Sequence, residues 1–412
     1  MVNFVVVKQT GLTMNKINKF SGIPVISQII NLLDRVKINR TARRNQSDRY
    51  YKKFKTIDHL ITMIYVVLSG CNSLREITSI ILACEGKINH LGIKYFPRRS
   101  TISDANRKRN SSVFSDIYFG LYHKYRKIIS DSKLKDAVIK HLQIVDSTTI
   151  GLFCDILKGV GRNPLNGKKK GGIKMHTMIN ATEDVPTLIR FTSAATHDHE
   201  FLKDLELKKG SIVVFDKGYN DYTQYLRWNL EGVYFVTRQK DNAVWTSIEE
   251  YEIPVGTDNG VLKDEKIKVE KDGKYIELRR IAYWDEKHKI VYEFISNNYE
   301  FTAVKIAEIY KRRWQIELLF KRLKQNFPLK YFLGDTQNAI EIQIWVCLIV
   351  QLLMLVIQKQ AERKWAFSNL VSVIRFHLMT YIDLYKFLKS PDSDWQYLTN
   401  KTEEQLALFV YT

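Results

Sequence analysis

Acidic residues are scarce in this 412-residue sequence: 44 Asp and Glu stand against 64 Lys and Arg, a formal charge of +20. That imbalance favours a polyanionic partner, most often nucleic acid. Cysteine is also sparse. Cys71, Cys84, Cys154 and Cys347 form no C-x-x-C pair and no Cys/His cluster at zinc spacing, which argues against a zinc module or a disulfide scaffold. They read as small buried hydrophobes in a reducing compartment. The opening MVNFVVVKQT has too short an apolar run for a signal peptide. There is no internal repeat and no low-complexity tract. One long apolar run exists, IQIWVCLIVQLLMLVIQ from Ile342, but Gln343, Gln351 and Gln358 interrupt or bound it and Glu341 precedes it. It is expected to be a helix buried on all sides in a large core, not a membrane span, so no membrane partner is expected.

The length points to two or three domains, and apolar and charged contents of 45% and 26% are those of a soluble globular protein. The first 135 or so residues read as helical. HLITMIYVVLSG is a buried helix ended by Gly70, and Ser73-Leu74-Arg75-Glu76 fits a capping box. From residue 138 strands take over: HLQIVDSTTI, IKMHTMINA, TLIRFTSAA, then a helical HEFLKDLELKK, the strand SIVVFDKGY, the helix DYTQYLRWNL and the strand GVYFVTR. Residues 239–301 alternate like a β insertion around the hairpin signal Lys271-Asp272-Gly273-Lys274. Thr302 then caps a long helix.

Asp146 and Asp216 each end an apolar strand, where open α/β sheets place ligands and catalytic groups. Each could equally be a turn residue or helix N-cap. If the two strands are parallel neighbours, the carboxylates lie side by side and repel unless a cation sits between them. Oxygen ligands of this kind suit Mg²⁺ or Mn²⁺.

The stretch 310–324, YKRRWQIELLFKRLK, has six Lys or Arg and one acid, Glu317. A solvated helix usually alternates its charges. At about 100° per residue, Tyr310, Arg313, Glu317 and Lys324 share an arc of roughly 60°, beside an apolar arc of Ile309, Ile316, Leu319, Phe320 and Leu323. Arg312 falls on the apolar arc without explanation. Three carboxylates can hold two ions about 3.5–4 Å apart for in-line displacement at phosphorus, with Arg313 and Lys324 on phosphates.

Tyr310, Arg313, Glu317 and Lys324 reproduce, spacing for spacing, the Tyr-x2-Arg-x3-Glu-x6-Lys signature of the DDE transposases of bacterial insertion sequences, in the IS-four branch, which residues 140–360 resemble. IVDSTTI and VVFDKGYND are similar to that family's two Asp motifs. DRYYKKFKTIDHLITMIYVVLSGCNSLREI resembles the leader domain of many members. The resemblance implies an α/β fold: a ribonuclease-H-like core with a β-rich insertion, preceded by an all-helical domain. The corresponding divisions are a helical DNA-binding domain (1–137), the first part of the core (138–238), the insertion (239–301), the second part of the core (302–385) and a tail (386–412). It implies Asp146, Asp216 and Glu317 as catalytic ligands of two Mg²⁺ or Mn²⁺ ions, and Tyr310, Arg313 and Lys324 on DNA phosphates. The implied activity is cleavage at transposon ends and transfer of the 3′-hydroxyl strand to target DNA. The expected partner is double-stranded DNA, as terminal inverted repeats and target. A homodimer in a synaptic complex, in the cytoplasm with the nucleoid, is also expected. Some members pass through a hairpin, in which Trp314 and Trp245 are candidates for stacking on a flipped base, or else plain packing residues. A ribonuclease-H-like nuclease that never joins, and a non-enzymatic DNA-binding relic, remain as alternatives.

Further basic sites are weaker. Residues 35–55 hold nine basic residues and one acid, interleaved with Tyr50, Tyr51 and Phe54; they fit phosphate contacts or a solvated basic face. RRSTISDANRKR could offer Ser103, Asn106 and Arg107 to bases. Lys168, Lys169 and Lys170, and Arg238 and Lys240 after the last core strand, are candidate DNA contacts. His176 and His197-Asp198 read as structural.

Overall fold

A computed structural model describes residues 21–82, 84, 86–130, 136–151, 172–253, 260–271 and 273–392. Among the described residues seven α-helices come first: α1 (Val25–Ile30), α2 (Arg35–Arg44), α3 (Thr56–Ser69), α4 (Leu74–Leu82), α5 (Arg99–Lys108), α6 (Ser112–Ile129) and α7 (Ala137–Lys140). Sequence signals set their ends. Gly70 stops α3 in the left-handed region at φ 72°. The Ser73 hydroxyl accepts the Glu76 N–H at 3.2 Å, while the Glu76 carboxylate reaches back to the Asn72 N–H at 2.8 Å.

Five strands follow: β1 (Leu142–Gly151), β2 (Gly172–Asn180), β3 (Pro186–Ser193), β4 (Ile212–Phe215) and, after helix α8 (Tyr222–Glu231), β5 (Tyr234–Arg238). β1, β2 and β3 run antiparallel in sequence, β4 pairs parallel with β1, and β5 pairs parallel with β4. The spatial order β3-β2-β1-β4-β5 is that of the ribonuclease-H-like core. HEFLKDLELKK was expected as an α-helix. It contains only a 3-10 turn, Asp198–Asp204. The threefold repeat puts the buried Leu202 and Leu205 on one face against the sheet.

β6 (Thr246–Glu250), β7 (Val261–Lys271), β8 (Lys274–Asp285) and β9 (Ile290–Ser296) form the insertion. They continue the same sheet: β9 pairs antiparallel with β5, and the nine-strand order ends β5-β9-β8-β7-β6. The insertion is therefore a lateral extension of the core, and its residues reach both faces.

Five α-helices complete the described residues: α9 (Ala303–Lys311), α10 (Trp314–Asn326), α11 (Gln337–Gln360), α12 (Phe367–Phe376) and α13 (Leu384–Lys389). α11 is long and apolar enough to cross a membrane, yet every residue from Ile342 to Ile357 is buried within the protein. It packs on α3, α5 and α6 of the helical region and on α10 and α12, so one apolar core joins the helices to one face of the sheet. The Gln343 side chain donates to the carbonyls of Pro328 and Tyr331, at 2.6 and 2.8 Å, and accepts from the Leu333 N–H at 2.9 Å. A second core, with Phe215, Tyr225, Trp228 and Phe235, lies under α8 on the other face.

Candidate active site

The parallel pairing of β1 with β4 runs from Leu142 opposite Ile212 to Val145 opposite Phe215. The next residue on each strand is an aspartate, Asp146 and Asp216. Sequence reasoning put both at strand ends. For Asp146 that needs correction: β1 continues to Gly151 because β2 keeps pairing with it, Asp146 opposite Thr177. Asp146 marks the end of the pairing with β4 only. Asp216 does end its strand, and it also caps the following turn by accepting the Gly218 N–H at 3.2 Å.

The expected long helix over 303–326 is two helices, with Arg312 and Arg313 between them. Thr302 caps the first, accepting the Lys305 N–H at 3.2 Å. The break accounts for Arg312: it is released from the buried arc and lies at the rim of a cavity. Arg313 turns into the site. Its Nη1 donates to Asp146 Oδ2 at 2.9 Å and its Nη2 to Glu317 Oε1 at 2.5 Å. Asp216 has its own partners, Arg238 Nη2 at 3.0 Å and the Tyr310 hydroxyl at 3.4 Å. Lys324 Nζ donates to the Thr149 carbonyl at 3.1 Å, farther along β1. Tyr310, Arg313, Glu317 and Lys324 thus line one surface with both aspartates. Arg238 Nε and Arg313 Nε are buried and lack hydrogen-bond partners, so the site holds donors unspent on the protein.

Burial pushes the Asp146 carboxyl up to about 6, against the pull of Arg313 and with repulsion from Asp216 and Glu317 adding to it. Asp216 goes the other way. Burial pushes it up, but the Gly218 N–H and Arg238 outweigh that and hold it below the usual range. Burial lowers Arg313, but Tyr310, Asp146 and Glu317 outweigh it, so its pKa is raised and the cation is held. Burial lowers Lys324. Among the described residues no three His, Cys, Asp or Glu side chains are grouped closely enough to hold one metal ion. The donor chemistry nevertheless fits a hard divalent cation. All the acidic groups offer carboxylate oxygen, and the place between Asp146 and Glu317 already takes a positive group, the Arg313 guanidinium.

A cavity of about 870 Å³ opens beside Arg238, Tyr310 and Arg313, walled by Tyr283, Tyr292 and Phe294 of the insertion and by Trp314. Trp314 is 58% exposed. Trp245 is not there. It stacks on the Arg280 guanidinium at 4.6 Å and packs with the core on the opposite face. Sequence reasoning missed Tyr283, Tyr292 and Phe294. Their alternation along β8 and β9 marks one aromatic face, but nothing in the sequence says that this face borders the aspartates.

The remaining candidates scatter. Lys240 is exposed just past β5. Arg107 is exposed on α5 and pairs with Asp104 at 3.1 Å. Ser103 is exposed, but Asn106, expected to reach bases, is buried. It is engaged by His59 Nε2 at 2.8 Å, and its carbonyl takes the Asn338 amide at 2.9 Å, so it ties α5 to α3 and α11. Lys168, Lys169 and Lys170 lie outside the described residues. His176 is buried and bonds Thr192 at 2.9 Å. Asp198, expected as an N-cap, accepts the Ser147 hydroxyl at 2.8 Å and Lys174 Nζ at 3.1 Å, bracing β1 one residue past Asp146.

Comparison with known proteins bears on the family. Residues 140–353 match the family model described as a transposase DDE domain, and residues 21–94 match a domain of unknown function (DUF4372). A putative transposase, y4zB, from Sinorhizobium fredii is 30% identical over 63% of this chain and 71% of its own. A putative transposase for insertion sequence element IS4SA from Synechocystis is 30% identical over 64% of this chain and 73% of its own. Among solved structures, a piggyBac transposase synaptic complex with hairpin DNA aligns over 91% of this chain and 82% of that one, at TM-score 0.40 and 10% identity. With the DDE model spanning more than half of it and relatives of this similarity, the chain belongs to the DDE transposases of insertion sequences.

Proposed function

We propose that this transposase cuts DNA at the ends of its element and transfers the freed 3′-hydroxyl strand to target DNA, with Asp146, Asp216 and Glu317 as catalytic carboxylates. The observation that carries the reading is the register of β1 and β4. It brings Asp146 and Asp216 to adjacent strand positions, and Arg313 ties Glu317 to the first of them. In cleavage a water oxygen bonds to phosphorus and the bond to the 3′-oxygen breaks. In joining that 3′-oxygen attacks a target phosphodiester and displaces its 3′-oxygen. The three carboxylates would hold two Mg²⁺ or Mn²⁺ ions, which supply activation of the attacking oxygen and stabilisation of the leaving one.

The protein's own groups bind and orient. Arg238 and Arg313, each with a free buried Nε–H, and Tyr310, Lys324 and Lys240 grip the phosphates on either side of the scissile bond. The aromatic cavity next to Arg313 has room for an extruded base against Trp314. Two ends are cut together, so the working unit is a homodimer on paired ends, in the cytoplasm.

The test is strand cleavage and joining on DNA that flanks the reading frame, in Mg²⁺ and in EDTA, with wild type and Glu317→Gln. Metal-dependent cutting and joining that vanish in the variant, with DNA binding kept, are expected. Cutting without joining identifies a nuclease, and binding without chemistry in wild type identifies a relic. Cutting retained by the variant removes Glu317 from the chemistry.

A further inference from the structure

The loop between α2 and α3, residues 45–55, is built with more care than a connection needs. The Arg109 side chain is fully buried beneath it. Its Nη2 donates to the Phe54 carbonyl at 2.9 Å, its Nε to the Ser47 carbonyl at 3.3 Å, and its guanidinium lies 4.4 Å from the Tyr51 ring centroid. Asp48, the one acid of the stretch, faces inward. It stands 3.6 Å from Arg109 Nη2 and accepts both the N–H and the hydroxyl of Thr56, at 2.7 and 2.8 Å. Phe54 is buried, and Tyr51 is half-buried.

Tyr50 is the exception. It stands 86% exposed on a backbone at φ 69°, the left-handed region that a bulky residue rarely adopts. Glycine or asparagine would occupy that position without the strain. An aromatic side chain held in a strained backbone, facing water, on a loop pinned from below, is a feature that folding alone does not call for. Its neighbours are cations. Arg40, Arg43, Arg49, Lys52 and Lys53 are exposed and have no carboxylate partner among the described residues, and the Arg49 guanidinium lies 5.0 Å from the Tyr50 ring centroid. With Asp48 consumed inside the clamp, the face offered to solvent is cationic around one exposed aromatic.

We propose that this loop is a duplex-DNA contact, in which the basic side chains of residues 40–53 grip phosphates and Tyr50 enters the groove against sugar and base edges. The site is distinct from the carboxylate cluster and lies in the segment that matches a domain of unknown function. The clamp gives the contact its value. A side chain carried on a backbone already held in place leaves less of the chain to be ordered on binding, and phosphate contacts from both sides set its register on the duplex.

The test uses the full chain carrying Glu317→Gln, so that DNA is bound without being cut and the outcome is independent of the catalytic reading. Affinity is measured by fluorescence anisotropy on a duplex from the DNA flanking the reading frame and on a scrambled duplex of equal length, over a salt series. Tyr50→Gly relieves the left-handed backbone, so its thermal midpoint is expected to hold or rise. Its affinity for the flanking duplex is expected to fall about ten-fold. Tyr50→Phe is expected to bind like the parent. Arg43→Ala and Lys52→Ala are each expected to reduce the salt slope by about one on both duplexes. Equal affinities for the parent and Tyr50→Gly overturn the proposal, as does a parent that binds neither duplex. Loss of self-association in Tyr50→Gly, with unchanged DNA affinity, assigns the loop to a protein interface instead.

Discussion

The two aspartates that follow the last residues paired between β1 and β4 are expected to act on stability in opposite directions, and Asp146→Asn tests this. The Asp146 carboxyl has its pKa raised from 3.8 to about 6, chiefly by burial, and its side chain is only 16% exposed. Below about pH 4 it is protonated in both the folded and the unfolded chain. Between about 4 and 6 the unfolded chain releases the proton while the folded chain keeps it, so the folded state loses its advantage as pH rises. A gap of about two units is worth about 3 kcal/mol by pH 7. Asparagine mimics the protonated group at every pH. In EDTA, Asp146→Asn should match wild type near pH 4 and exceed it by about 2–3 kcal/mol at pH 7.5, while losing all strand cleavage. Asp216 has its pKa lowered, so its contribution is present above the unfolded value and lost as pH falls through the folded one. Asp216→Asn should therefore be less stable than wild type at neutral pH. Urea unfolding followed by tryptophan fluorescence between pH 4 and 8 reads both. Mg²⁺ is expected to stabilise wild type and to leave Asp146→Asn unmoved. An Asp146→Asn variant that is less stable than wild type at pH 7.5, or a difference that does not vary with pH, refutes the reasoning. Either result would mean that attraction to Arg313 outweighs burial.

Gln343→Leu keeps the volume and apolar character of α11 but removes the hydrogen bonds that the Gln343 amide makes with the carbonyls of Pro328 and Tyr331 and the N–H of Leu333. A loss of about 2–4 kcal/mol in urea unfolding is expected, and a loss under 1 kcal/mol would show that those groups find other partners. Trp245→Ala removes a ring that faces Arg280 on the side of the sheet away from the carboxylates. Strand cleavage, joining and any hairpin formation are expected within about two-fold of wild type, inside the usual range for a surface substitution; a selective loss of hairpin product would place this tryptophan at the DNA after all.

The core was legible because its signals are local and redundant. The core strands end or change beside identifiable turns, Asp146 and Asp216 each close an apolar run, and glutamines in α11 spoke for burial over a bilayer. What escaped depended on register. Asp146 reads as a strand end, but pairing with β2 carries the strand five residues farther, and no feature of IVDSTTI announces that. The insertion alternates like a free-standing hairpin, and only the pairing of β9 with β5 makes it part of the same sheet and brings Tyr292 and Phe294 to the cavity. Asn106 has the chemistry of a base-reading residue, yet its partner His59 sits 47 residues away in sequence and decides its burial. The helix break at 312–313 was visible only as an anomaly, an arginine on an apolar arc.

Distances now account for the spacing of the Tyr-Arg-Glu-Lys signature. Tyr310 serves Asp216 and Arg313 serves Asp146. Tyr310 lies in the last turn of α9 and Arg313 in the break before α10, so the break divides the residue that reaches β4 from the one that reaches β1. Glu317 lies one turn beyond Arg313, where the two ends of a guanidinium can reach it and Asp146 together. From Glu317 to Lys324 is seven residues, about 10.5 Å of helix. Asp146 to Thr149, whose carbonyl takes the Lys324 ammonium, is three residues of strand, about 10 Å. α10 therefore runs along β1 at matched pitch, with its acid at the aspartate and its lysine three strand residues on. A change of one residue in either spacing rotates the later side chain by about 100° off the strand. The lone acid in a basic helix is thus fixed in place twice, by the strand it lies on and by the arginine one turn before it. The surrounding cations are what make three carboxylates tolerable in one partly buried place.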